Sequence, residues 1–193
     1  MILPIVAYGS PILRKVARPI DKNFNDLHIL IENMWETLYH SNGVGLAAPQ
    51  INQDIRLFLV DSLQIVENAD EEDKENYKNE KPIKQVFINP KVLSLQGKEW
   101  KYNEGCLSIP KIREDVMRHE VVTIQYQDEN FEQHTQTFDG ITGRIILHEY
   151  DHIEGKLFID YLSPVKKRLI KSKLEKISKG SIHVDYKMLY PKR

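Results

Sequence analysis

A single cysteine, Cys106, stands in this chain of 193 residues. One thiol cannot close an intramolecular disulfide, so nothing covalent staples the fold and a buried apolar core has to hold it. At this length, and 41% hydrophobic, the chain supplies such a core as one compact domain over 1–193. A thiol left reduced suits a reducing compartment, and the expected location is the cytoplasm. Met1 to Ala7 is too short, and lacks the basic start, for a secretory leader; no later window approaches the run of about 18 apolar residues that a membrane span requires. With 27 basic against 28 acidic side chains, the overall positive charge typical of DNA binders is missing. Neither a membrane nor a DNA partner is expected.

Periodicity then divides the chain. Gly9-Ser10-Pro11 predicts a helix start, with Ser10 as cap and Pro11 in the first turn. Leu27, Leu30, Ile31, Met34, Trp35 and Leu38 recur at helical spacing, which predicts a helix from Asn25 or Asp26 to about Ser41–Gly43. Gly43 there offers the positive φ of a terminating turn. Ile55 to Asp61 and Gln85 to Leu93 are β-rich. Between them residues 67–81, with seven acidic side chains, read as a solvated acidic loop insertion. Glu120–Gln127 and Phe131–Phe138 flank Asp128-Glu129-Asn130 as an antiparallel hairpin. Ile141–Glu154 returns to helical spacing, with Gly155 as its C-terminal cap. Residues 164–180 form a basic amphipathic C-terminal helix with Val165, Leu169, Ile170, Leu174 and Ile177 on its apolar stripe. The sum is an α+β fold.

Chemistry concentrates at residues 148–152, His-Glu-Tyr-Asp-His. A spacing of four turns about 400° around a helix, so His148 and His152 project from one face and can share a divalent metal ion. Glu149, displaced by about 100°, can reach a water on that ion as general base. A helix supplies two ligands and a third is needed. The metzincin pattern places a third histidine where this chain has Phe158, which cannot ligate. Glu175 is a candidate of another zincin type, but it lies on the basic helix. Cys106, in Glu104-Gly-Cys-Leu-Ser-Ile-Pro110, sits in a turn-prone stretch at a strand end, and thiolate with two imidazoles makes a metal site with one position open. Upstream, Gly43-Val-Gly-Leu-Ala-Ala-Pro-Gln50 lets a backbone approach a ligand closely. It has no Lys-Ser/Thr terminator for phosphate, and Gln50 carries an amide that can polarise a carbonyl. On the helix, Ile141, Arg144 and Ile145 lie on or near the face of His148, so Ile141 and Ile145, with Val44, can line an apolar pocket or simply pack in the core. A zinc endopeptidase or a catalytically silent binding protein would also account for parts of this pattern.

Taken together, three separated segments resemble peptide deformylase. They are Gly43, Gly45, Ala47, Ala48 and Gln50 in a GxGxAAxQ pattern, Glu104 to Ser108 as EGCLS, and His148 to His152 as HExxH. Their order and spacing agree with the family, and the likeness runs from the ILPIV and SPILR segments through LFIDYLSP. Leu147 departs from it, since the family usually has glutamine there. The resemblance implies mixed and antiparallel strands around a central metal-binding helix, with a C-terminal helix. It implies hydrolysis of the N-formyl group on the initiator methionine of nascent peptides. Cys106, His148 and His152 would hold one divalent ion, natively Fe(II), with Zn(II), Ni(II) or Co(II) also compatible. Glu149 would act as base and then acid, and the Gln50 amide and the Leu107 N–H would stabilise the oxyanion. Val44, Gly45, Gly105, Ile141 and Ile145 would meet the substrate, with the backbone of Val44 and Gly45 pairing to it as an added strand. Glu104 and Arg118 would pair to orient the Cys106 loop, and the basic C-terminal helix would dock on the ribosome.

Overall fold

A computed structural model describes residues 1–70 and 74–191. Its elements run β1 (Ile5–Val6), α1 (Leu27–His40), β2 (Gly45–Ala47), β3 (Leu57–Asp61), α2 (Leu63–Glu67), β4 (Lys84–Cys106), β5 (Ile109–Gln127), β6 (Gln133–Phe138), α3 (Gly140–Ile153), α4 (Pro164–Ser178) and β7 (Met188–Leu189). Five strands form one sheet in the order β2-β3-β4-β5-β6, every neighbour antiparallel, while β1 and β7 make a separate parallel pair. This is the expected α+β architecture, with strands longer than the sequence suggested at β4 and β5.

β3 explains how the layers are sorted. Every residue of Leu57–Asp61 is buried, because alternate side chains point to opposite faces and both faces are covered. Leu57 and Leu59 join Leu27, Ile31, Met34 and Leu38 of α1. Phe58 and Val60 join Phe87, Ile141, Ile145 and Ile146 against α3. The register sets Phe58 opposite Phe87, with the rings stacked 4.8 Å apart. Helix α3 therefore lies in the centre, buried on most of its circumference. Leu147 belongs to this apolar core, where the family's glutamine would have to find a hydrogen-bond partner.

Several sequence expectations change. Pro11–Arg14 is a single 3-10 turn, and Ser10 makes no side-chain cap bond. At the end of α1, Asn42 takes the left-handed conformation (φ 53°), while Gly43 does not. On α4 only Ile170, Leu174 and Ile177 are buried; Val165 and Leu169 are exposed. Those two lie about 80° or more around the helix from the buried three, so they fall outside the stripe. Gly155 takes φ +70° after α3, as its position as a helix cap requires.

Of the acidic segment 67–81, residues 71–73 lie outside the described residues. Its far end is docked rather than solvated. Tyr77 packs on the α3 core, and both carboxylate oxygens of Glu80 accept the Ile141 N–H at 3.1 Å. Asp139, the residue before α3, caps nothing with its side chain, so Glu80 takes over that role from a distant part of the chain. Such a cap is worth about 1 kcal/mol, and its charge complements the helix dipole.

Candidate metal centre and substrate cleft

Strand β4 ends at Cys106 and β5 starts at Ile109, with Cys106 paired to Ile109. The two-residue turn Leu107–Ser108 aims the thiol at α3. Cys106 Sγ lies 3.2 Å from His152 Nε2. One ligating atom from each of Cys106, His148 and His152 falls within 4.8 Å of the others. One thiol and two imidazoles, gathered this closely from a helix face and a strand end, fit a divalent ion of the zinc or iron type with room for a further ligand. Phe158 is not a ligand; its ring stacks on His148 at 6.0 Å.

The two imidazoles are shifted in opposite directions. Burial pulls the His148 imidazolium down, but hydrogen bonds to Cys106 and Glu104 outweigh it and push its pKa up to about 10. Burial, and then the charge of His148, hold His152 well below its ordinary value. Binding a divalent ion between these residues would require His148 to give up its proton, so its affinity would fall as pH falls.

Behind the three candidate ligands lies a buried charge network. Glu104 Oε2 accepts from His148 Nδ1 at 2.9 Å. The same carboxylate accepts from Arg118 at 2.7 and 3.0 Å and from Arg144 at 3.1 Å. Arg118 continues to Asp151 at 2.6 Å, and the Tyr161 hydroxyl donates to Asp151 at 3.0 Å. Burial opposes the Glu104 charge, yet the His148 and Arg118 bonds hold its carboxyl far below the usual range. Sequence reasoning had suggested the Glu104–Arg118 pair. Asp151, Tyr161 and the Arg144 link were missed, although Asp151 follows His148 by three residues and a helical projection would have placed it nearby.

Glu149 stands apart from this network. It is buried, and its Oε2 has no hydrogen-bond partner among the described residues. Burial pushes its carboxyl up to about 7, the His148 charge opposing and the Glu104 charge reinforcing the shift. A Cβ on Gly45 would sit 2.7 Å from Glu149 Cγ and 2.8 Å from Cδ, so only glycine lets β2 pass this close to the carboxylate. Gln50 is 1% exposed. Its Oε1 accepts the Ala47 N–H at 2.7 Å, and its Nε2 lies 3.5 Å from both Cys106 Sγ and Ser108 Oγ.

A cleft of about 600 Å³ opens over these groups, lined among others by Val44, Gly45, Gly105, Leu107, Ile141 and Ile145. Ile141 and Ile145 also pack in the core. β2 is an edge strand of the sheet. The Val44 carbonyl accepts from Asp61 N–H at 2.8 Å, which removes it from the backbone groups open to a ligand. Strand alternation turns those of Gly45 outward instead. A second grouping, Asp128, Glu132 and His134, has the bonds of a hairpin turn: Asp128 Oδ1 accepts the Asn130 and Glu132 N–H groups.

Residues 2–168 match the sequence model of the family described as polypeptide deformylase. The chain belongs to this family. A peptide deformylase of Christiangramia forsetii is 53% identical over 191 residues, covering 99% of this chain and 97% of the relative. That of Flavobacterium psychrophilum is 50% identical over the full length of both. Among solved structures, a peptide deformylase from Legionella pneumophila superposes with a TM-score of 0.78 at 34% identity, covering 94% of this chain and 98% of that one. Peptide deformylases are metal-dependent hydrolases that remove the N-formyl group from newly made polypeptides, and this chain carries that activity. Among the described residues, no helix is long and apolar enough to cross a membrane.

Proposed function

We propose that Cys106, His148 and His152 hold one divalent ion, natively Fe(II), and that Glu149, Gln50 and Leu107 carry the hydrolysis of N-formylmethionyl peptides. The observation that carries this reading is a buried, unpartnered Glu149 oxygen beside three converging ligands. A bound cation supplies Lewis acidity, making water easier to deprotonate and the formyl carbonyl more electrophilic. Glu149, with a pKa of about 7, takes the proton of the attacking water and returns it to the departing amine nitrogen. The Gln50 amide and the Leu107 N–H donate to the developing oxyanion. The methionine side chain enters between Val44, Ile141 and Ile145, while the backbone pairs with Gly45 and passes Gly105. The reaction releases formate and a free amino terminus.

Protein purified without oxygen should contain iron and release formate from a formyl-methionyl dipeptide. A chelator should stop the reaction, and added Fe(II) should restore it; full activity with zinc alone would overturn the iron assignment. The cytoplasm, where nascent chains emerge, is the proposed location. Docking on the ribosome through α4 is supported by the exposed Lys171, Lys173 and Lys176. Lys166 and Lys167 are less free, bonded to Glu114 and to the Asp160 carbonyl at 2.8 Å each. Changing Lys171, Lys173 and Lys176 together to Glu should weaken ribosome co-sedimentation and flatten its salt dependence. Unchanged sedimentation would leave only a solvated face.

A further inference from the structure

The two ends of the chain meet beside the metal centre. β1 and β7 pair in parallel, Ile5 opposite Met188 and Val6 opposite Leu189. The Ile5 N–H donates to the Lys187 carbonyl and the Ala7 N–H to the Leu189 carbonyl, both at 2.9 Å. From this joined pair, one hydrogen bond reaches each residue of the turn that follows Cys106. The Tyr8 N–H donates to the Ser108 carbonyl at 2.9 Å. The Tyr186 hydroxyl donates to the Leu107 carbonyl at 2.8 Å. Met188 and Tyr190 pack on the same apolar cluster as Val6, Ile109 and Cys106, so the C-terminal segment is seated by its side chains. Residues His183 to Tyr186 form one wall of the cleft.

We propose that Tyr186 is a positioning residue for deformylation, fixing the Leu107 carbonyl and through it the orientation of the Leu107 backbone whose N–H meets the oxyanion. This rests on the role given above to Leu107. The pairing of Cys106 with Ile109 holds the peptide before Leu107, and the Tyr186 bond holds the one after it. With both neighbouring peptides anchored, the Leu107 N–H has little freedom to turn. Oxyanion donors act through such preorganisation, and small displacements of them are costly. Tyr186 is not itself a proton donor to substrate, because its hydroxyl proton is committed to the Leu107 carbonyl.

Tyr186→Phe keeps the ring in the cleft wall and removes only that bond. The kcat on a formyl-methionyl dipeptide should fall about three- to tenfold, the worth of one neutral hydrogen bond, with KM, metal content and Tm unchanged. Amide hydrogen exchange at Leu107 and Ser108 should quicken by a similar factor. Tyr8→Phe, which keeps the backbone hydrogen bond to Ser108, should behave as wild type. Wild-type kcat and exchange in Tyr186→Phe would overturn the proposal, as would lower Tm and metal content together with a raised KM, showing a merely structural role. If metal-loaded wild type released no formate, the deformylase assignment of Leu107 would fail on its own, and the exchange comparison would decide the clamp.

Discussion

Glu149→Ala should leave the metal in place and lower kcat on a formyl-methionyl dipeptide by about 10²- to 10⁴-fold, the range for loss of a general base. The residue lies outside the proposed ligand set: Cys106, His148 and His152 converge without it. Its carboxylate is buried with Oε2 unpartnered, a costly arrangement in a folded protein. Among the described residues no hydrogen bond to Oε2 repays that cost. Gly45 keeps the space in front of the carboxylate clear, and burial raises its pKa to about 7, where a group can both accept and return a proton near neutrality. Removing it should therefore hold Tm steady or raise it while turnover is lost, the usual sign of a group kept for function at the expense of stability. Metal analysis, calorimetry and formate release on one preparation check all three. Loss of metal together with activity would show that Glu149 shapes the site instead of reacting in it.

The sequence displays the chemistry of this site better than its support, and the reason is physical. Cys106, His148, Glu149 and His152 sit in contiguous motifs because a helix face and a strand end each present neighbouring residues to one point. Helix α1 was legible from its helical apolar spacing and strand β3 from a short β-rich run, and burial enforces both. Glu80 was not, because a carboxylate that caps a helix sixty residues later looks, in sequence, like any charge in an acidic run. Val165 and Leu169 were assigned to the buried stripe of α4 on residue type alone, although their angle around the helix separates them from Ile170, Leu174 and Ile177. The β1–β7 pair was beyond reach: two residues per strand carry no period, and Tyr186 meets Leu107 only because both chain ends arrive at the same turn.

Glu104→Ala should do the reverse of Glu149→Ala, although wild-type Glu104 and Glu149 are equally buried at 4% exposure. Glu104 receives hydrogen bonds from His148, Arg118 and Arg144, so its desolvation is repaid by three partners. Deleting it strands them. Arg118 keeps Asp151 and Arg144 keeps the Trp100 and Val116 carbonyls, but two guanidinium charges then share one carboxylate in a dry interior. Breaking a buried ion pair costs about 3–5 kcal/mol, which for a domain of this size lowers Tm by about 6–20 °C. His148 at the same time loses the acceptor that fixes its ring and tautomer, and such partners are worth about 10- to 100-fold in metal affinity. Thermal unfolding and metal competition should thus show both losses in Glu104→Ala. A variant with wild-type Tm would mean that the two arginines find other acceptors and that the network is not what holds the Cys106 loop against α3. The sign of the effect follows from how each carboxylate is partnered, since residue type and burial are the same.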